Sequence, residues 1–252
     1  MSTRSGLWIM YIILLGQGSE SPALSPGKTG ILLDWCGYEW QVKIKEHPAG
    51  PGPNIFGLHP ENVKVLRSGA LKLSVLPMAE GWSCAEIFTT KLLRNGLYVF
   101  EVGSEAQKLH PQLVAGFFTY NETREHHYNE SDIEISRWGL QNNKNAQFAH
   151  YADYDIPEVY RFDLSPMSNL HTFIIHKTQG EVAFYYLDRK YSLKIPTLKE
   201  AKAFYRFSNT THHPDYFRIH INLWLFEGAE PAERIQKDEL QLTINRFRYL
   251  PE

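Results

Sequence analysis

The chain is short of the features that mark several large protein classes. It has two cysteines, Cys36 and Cys84, in 252 residues. Neither has a cysteine partner at zinc-ligand spacing, which excludes a cysteine-based zinc site and a disulfide-dense scaffold. A single disulfide between them and a pair of free thiols both stay open, the first needing an oxidising compartment. Net charge is nearly absent: 26 Lys and Arg against 28 Asp and Glu leave −2. That balance, with the basic residues scattered, argues against nucleic acid or a membrane surface as the main partner. No phosphate loop, GxGxxG or GxSxG occurs, so nucleotide binding and serine-hydrolase chemistry have no support. There is no internal repeat and no low-complexity tract. The longest apolar run, Gly6 to Gly16 behind Arg4, is too short for a comfortable membrane span. It reads instead as the apolar region of a secretory signal, with Gly16 and Gly18 at the cleavage positions before Ser19. No cysteine follows, so a lipoprotein anchor is not indicated. Residues 1–18 are expected to be a signal peptide, 19–30 a linker rich in Ser, Pro and Gly, and 31–252 a single secreted domain. The mature protein is expected to be monomeric and free of membrane.

Aromatic residues, by contrast, are plentiful: 14 Tyr, 14 Phe and 6 Trp. Most belong in a core, but Tyr and Trp faces also pack against the C–H faces of sugars. Short β-type runs recur with turn residues between them. They are Trp40–Lys45, Asn62–Leu66, Ala70–Leu76, Glu86–Lys91, Leu97–Val102, Leu113–Tyr120, Asn145–Ala152, Leu170–His176, Val182–Leu187, Phe217–Leu225 and Leu240–Tyr249. The one helical piece expected is Thr197–Ala203. This pattern implies an all-β fold, an antiparallel sandwich or jelly roll, and not alternating βαβ units.

The most informative stretch is Asn129-Glu130-Ser131-Asp132-Ile133-Glu134-Ile135-Ser136. Its carboxylates stand at alternate positions, which places Glu130, Asp132 and Glu134 on one face of one strand. Like charges side by side repel, and Asp is a poor strand former. Paired carboxylates on one surface are what glycosidic bond hydrolysis requires. In a retaining mechanism the two carboxyls stand about 5–5.5 Å apart. Residues i and i+4 of a strand have Cα atoms roughly 13 Å apart, so each Glu must lean towards the other.

At this point the residues resemble family 16 of the glycoside hydrolases. The signature is Glu130-Ser131-Asp132-Ile133-Glu134, two Glu flanking an Asp on one strand. Ser131 departs from the pattern, in which that position is usually apolar; it faces away from the acids and is expected not to touch the chemistry. The resemblance extends to Cys84-Ala85-Glu86-Ile87 with Asn95-Gly96-Leu97-Tyr98, to Gly116-Phe117-Phe118-Thr119-Tyr120, to Asn145-Ala146-Gln147-Phe148 and to Ile221-Asn222-Leu223-Trp224. It covers the chain from about Gly50 onward. It implies a concanavalin-A-like β-jelly-roll sandwich of two curved antiparallel sheets with polysaccharide in the concave face.

By that resemblance Glu130 is the nucleophile, Glu134 the general acid/base, and Asp132 a hydrogen-bonding partner that tunes the nucleophile. Phe118 and Tyr120 share a face with Val114 and Gly116, where the small Gly116 leaves room for a sugar. Tyr128 stands where lichenases carry a stacking Trp. Asn222 is expected to bind a hydroxyl and Trp224 to form a stacking wall. Asn54 falls on a loop at the cleft rim. Glu86 matches a substrate-contacting Glu, although Phe88 replaces the usual basic neighbour. Gln147 and Tyr151 have cleft-facing parity, with Ala149 between them where lichenases tend to be polar. Arg137 falls on the opposite face and reads as structural. No cofactor is required. A structural calcium is implied on the convex side through Gly69 and the position of Asn245, where the missing carboxylate weakens a hard-cation site. His126-His127 and His212-His213 sit in polar segments, where adjacent residues point to opposite sides and chelate poorly. The sequons at Asn121, Asn129 and Asn209 read as chance matches, because the second overlaps the acidic strand.

The expected activity is retaining, endo-acting hydrolysis of a β-linked polysaccharide, a β-glucan. The alternatives are a galactan hydrolase or transglycosylase, and a lectin-like binding module on the same fold, which needs the aromatics but has no use for two Glu at i and i+4.

Overall fold

The computed structural model describes residues 30–121, 130–151, 157–191, 194–208, 216–231 and 237–252. The expected signal peptide and nearly all of the linker lie outside them, as do Tyr128, both His pairs and Asn209. Two antiparallel sheets face each other. The front sheet runs Leu32–Trp35, Tyr38–Val42, Trp82–Thr89, Tyr216–Leu225, Leu113–Tyr120, Ser131–Ser136, Ala146–His150 and Glu158–Phe162. The back sheet runs Ala203–Ser208, Glu181–Leu187, Leu170–Thr178, Gly96–Gly103, Gln241–Pro251, Leu71–Ser74 and Val63–Val65. This is the expected all-β sandwich, and its chain order crosses repeatedly from one sheet to the other.

The core lies between the sheets and follows from period-two alternation. Phe117, Ile133, Phe148 and Ile221 project inward from the front sheet, and Phe100, Phe173, Phe184 and Phe247 from the back. Rings meet across the gap: Phe100 and Phe117 stand 5.1 Å apart, as do Phe148 and Phe184. A smaller cluster of Val99, Ile174, Tyr185, Leu187 and Tyr191 covers the outer side of the back sheet.

Each expected β-run overlaps a strand, Trp40–Lys45 being split between Tyr38–Val42 and Lys45–Ala49, and Leu113–Tyr120 has the expected bounds. The expected helix does not form. Thr197 donates from its N–H and hydroxyl to the Glu200 carboxylate, at 2.8 and 3.0 Å, and Glu200 donates back to the Thr197 carbonyl. These bonds close one turn only. Lys202 N–H then reaches the Tyr186 carbonyl at 2.8 Å, and Ala203–Ser208 joins the sheet edge. Tertiary pairing overrides the local preference. The cysteines are free: Cys36 Sγ accepts from the Phe247 N–H, and Cys84 Sγ donates to Asn54 Oδ1.

The two expected calcium positions have other partners in the structure. The Gly69 carbonyl already accepts the Trp35 indole N–H at 3.0 Å. Asn245 is the extra residue of a bulge opposite Glu101 and Val102, exposed, with Arg246 beside it. Among the described residues no group of three His, Cys, Asp or Glu side chains could hold a metal. A hard dication needs several oxygen donors and gains nothing from an adjacent guanidinium.

Candidate active site

Antiparallel neighbours place paired residues side by side, so the outer face of the front sheet is laid out in rows. One row runs Glu86, Asn222, Gly116, Glu134, Gln147, Arg161; the next runs Phe88, His220, Phe118, Asp132, Ala149, Val159. Beyond it Arg218 pairs with Tyr120, and Glu130 meets Tyr151, whose N–H donates to the Glu130 carbonyl at 3.0 Å. The three acids therefore share this face, while Ile133 and Ile135 fill the core behind them. Glu130 sits one residue before the strand and keeps part of its surface open; Asp132 and Glu134 are buried.

Burial is the first cause of the electrostatics here, because it disfavours the charged form of each acid. It pushes Glu130 up to about 7; even with part of its surface open, Glu130 is closely surrounded. A hydrogen bond from Asp132 works against this rise, and the charges of Glu134 and Glu86 add to it. Burial pushes Glu134 up to about 7 as well, opposed by Gln147 and by the nearby charge of Arg161. Asp132 lies well above the usual carboxylate range through burial, the charges of both Glu residues and its bond to Glu130. That bond raises Asp132 and lowers Glu130, the sense expected with Asp132 as the donor. Gln147 Nε2 donates to Glu134 Oε2 at 2.6 Å. Burial also raises the Tyr151 phenol, and the three acids raise it further, so its hydroxyl faces them in its neutral form.

The other expected binding residues divide. Phe118 and Tyr120 lie part-exposed on the acidic face, and Gln147, Tyr151 and Asn222 complete it. Gly116 does not leave the room expected for a sugar. Its N–H donates to Asn222 Oδ1 at 2.9 Å, and a Cβ at Gly116 would stand 2.5 Å from that oxygen. The missing side chain makes room for the Asn222 amide. Trp224 is 4% exposed, beneath the turn that carries Gly52, and offers little face for stacking. Asn54 is not at a rim. It is buried and pins that turn, donating from Nδ2 to the carbonyls of Pro51 and Leu225, both at 2.9 Å. Glu86 is buried as well and engaged with Lys43 at 2.7 Å and His220 Nδ1 at 3.1 Å. Burial works against its charge, but His220 and Lys43 outweigh that and hold its carboxyl below the usual value.

No protein-family model matches the sequence, and no curated protein sequence matches it. Solved structures do. A Bacillus licheniformis β-glucanase superposes with a TM-score of 0.63 at 18% identity, over 84% of this chain and 92% of that one. A family 16 endo-glucanase of Bacteroides ovatus gives 0.62 at 15% identity, over 84% and 94%. A protein of Mycobacterium tuberculosis described as a pseudo β-1,3-glucanase gives 0.65 at 13% identity, over 84% and 91%. The fold is that of the family 16 glycoside hydrolases.

On this family 16 fold, several residues of the site were not foreseen from the sequence. His220 stacks between Phe88 and Phe118, at 5.2 and 4.9 Å between ring centres. Its position two residues before Asn222 gave the parity signal, which would have placed it on the face. Arg161 belongs to the strand Glu158–Phe162, whose alternating Tyr160 and Phe162 were readable as inward-facing. Lys43 had no local signal; its role comes from its ion pair with Glu86 and its place 4.5 Å over the Phe56 ring.

Proposed function

We propose that this protein is a retaining O-glycosyl hydrolase that cleaves β-linked polysaccharide, a β-glucan, within the chain. The observation that carries the reading is the acid trio on one face of one strand, with both Glu pushed towards neutrality and Asp132 donating to Glu130. The glucanase and endo-glucanase descriptions of the structural neighbours support the substrate class. Glu130 attacks the anomeric carbon as the carboxylate. The glycosidic bond breaks, its electron pair goes to the leaving oxygen, and that oxygen takes the proton from Glu134. Glu134, now a carboxylate, takes a proton from water, whose oxygen displaces Glu130 from the sugar. Which Glu has which role rests on the resemblance. Like charges that cannot ionise together leave one proton shared across the pair near neutral pH, which is the state the first step needs. Signal-directed secretion through residues 1–18 belongs to the same reading.

A second reading, a sugar-binding module without turnover, is favoured by the Phe88–His220–Phe118 stack, which adds aromatic surface and no acid chemistry. The description of one neighbour as a pseudo β-1,3-glucanase keeps that reading in view. A polysaccharide panel with product sizing decides between them. Release of oligosaccharides from a β-glucan supports the hydrolase; tight binding without any release supports the module.

A further inference from the structure

The strand Leu170–Thr178 points Phe173 and Ile175 into the core, and by the same alternation Lys177 follows them. An ammonium at a core position is costly unless partnered. Lys177 is 0% exposed, and its hydrogen bonds to Ser131 and Thr119 lie at the back of the acidic strand and beside it. Nζ donates to Ser131 Oγ at 2.9 Å and to Thr119 Oγ1 at 3.1 Å, and stands 4.0 Å over the Phe217 ring. Ser131 Oγ also bonds His150 Nδ1 at 3.0 Å, and the same nitrogen lies 3.1 Å from the Glu130 carbonyl. Ser131 thus faces away from the acids, as its parity requires, yet it links a buried cation to the backbone of Glu130.

We propose that Lys177 is a positioning residue for the acidic strand, a counter-charge held across the sandwich that fixes Glu130 through Ser131 and eases ionisation on the opposite face. The inference deepens the hydrolase reading and rests on it for its catalytic meaning. Burial pushes the Lys177 amine down to about 7, against the pull of Asp132 and Glu130. Lys177 in turn works against the rise of Asp132. Among the described residues the charges of Asp132 and Glu130 act on Lys177, Thr119, Ser131 and Phe217 touch Nζ, and His150 reaches it through Ser131. Lys177 loses its charge as pH rises through about 7, the same window in which Glu130 gains its own, so each charge favours the other there.

The test is a substrate-free NMR titration of the Lys177 side chain and of the carboxyls in wild type, K177M and E130Q. In wild type, Lys177 should titrate at least 2 pH units below surface lysines. E130Q should lower its midpoint further, by about one unit. K177M should raise the Glu130 midpoint by a similar amount, because coupling is reciprocal. S131A keeps the charge and loosens its anchor, so it should raise the Glu130 midpoint by less. A Lys177 that titrates with the surface lysines, or ignores E130Q, overturns the proposal even if K177M fails to fold. Because no substrate is involved, a protein that cleaves no polysaccharide would sink the hydrolase reading and leave this coupling tested in its own right.

Discussion

The two faces of the strand Ser131–Ser136 have opposite jobs and very different compositions. The outer face gathers Asp132 and Glu134 in line with Glu130, and their burial makes ionisation expensive. The inner face is apolar at Ile133 and Ile135 but polar at Ser131, where the lysine of the other sheet arrives. The outer face stores electrostatic tension, and the inner face is rigid where packing suffices and charged only where it lies behind the acids. Stability and reactivity are thus separable along one strand, and each can be disturbed alone.

The largest expected effect is on the outer face. E130Q and E134Q should each lower turnover by about 10³-fold or more with the fold intact by circular dichroism. Near-normal turnover in either would remove that Glu from its role. On the inner face I133A should cost about 2–5 kcal/mol in denaturant unfolding, the usual penalty for emptying a core site. It should leave the limbs of the pH–rate profile in place. A shift of the profile in I133A would mean that the two faces are not separable.

A smaller effect concerns stability against pH. Glu134 is raised from 4.5 to about 7 in the folded protein. The native state therefore holds a proton that the unfolded chain has released, and stability falls as pH rises through this window. E134Q removes that buried charge. It should raise stability at pH 8 by on the order of 2 kcal/mol, roughly 4–8 °C in Tm, and change little at pH 4.5. Equal gains at both values would show that the charge is not the cause. The smallest effect distinguishes the neighbours of the acids. Q147A removes the donor that opposes the rise of Glu134. It should move the alkaline limb of the profile up by about half a pH unit, whereas K177M should move the acid limb up. Identical shifts in both mutants would erase the distinction between the faces.

Much of this was legible in the sequence because period two is a local property. Alternation alone put three acids on one side of the strand, grouped Phe118 with Tyr120, and gave the strand Leu113–Tyr120 its bounds. What was not legible depends on which strands become neighbours and on what covers them. Trp224 has the parity of the acidic face, yet the turn before Asn54 folds over it. Gly116 reads as empty space until the register sets Asn222 opposite. Thr197–Ala203 has helix signals, and only the waiting edge of Glu181–Leu187 turns its end into a strand. Lys177 and Ser131 lie 46 positions apart and meet because two sheets stack at that point. Their hydrogen bond is a property of the sandwich, with no trace in either segment.

The central claim is that the outer face cleaves a β-linked glucan with retention through Glu130 and Glu134. The most direct measurement is proton NMR of the first anomer released when the wild-type protein and E130Q are mixed with β-glucan oligosaccharide. The account predicts β-anomer appearing first with the wild type and no release with E130Q. An α-anomer formed first, or release that survives in E130Q, would contradict it.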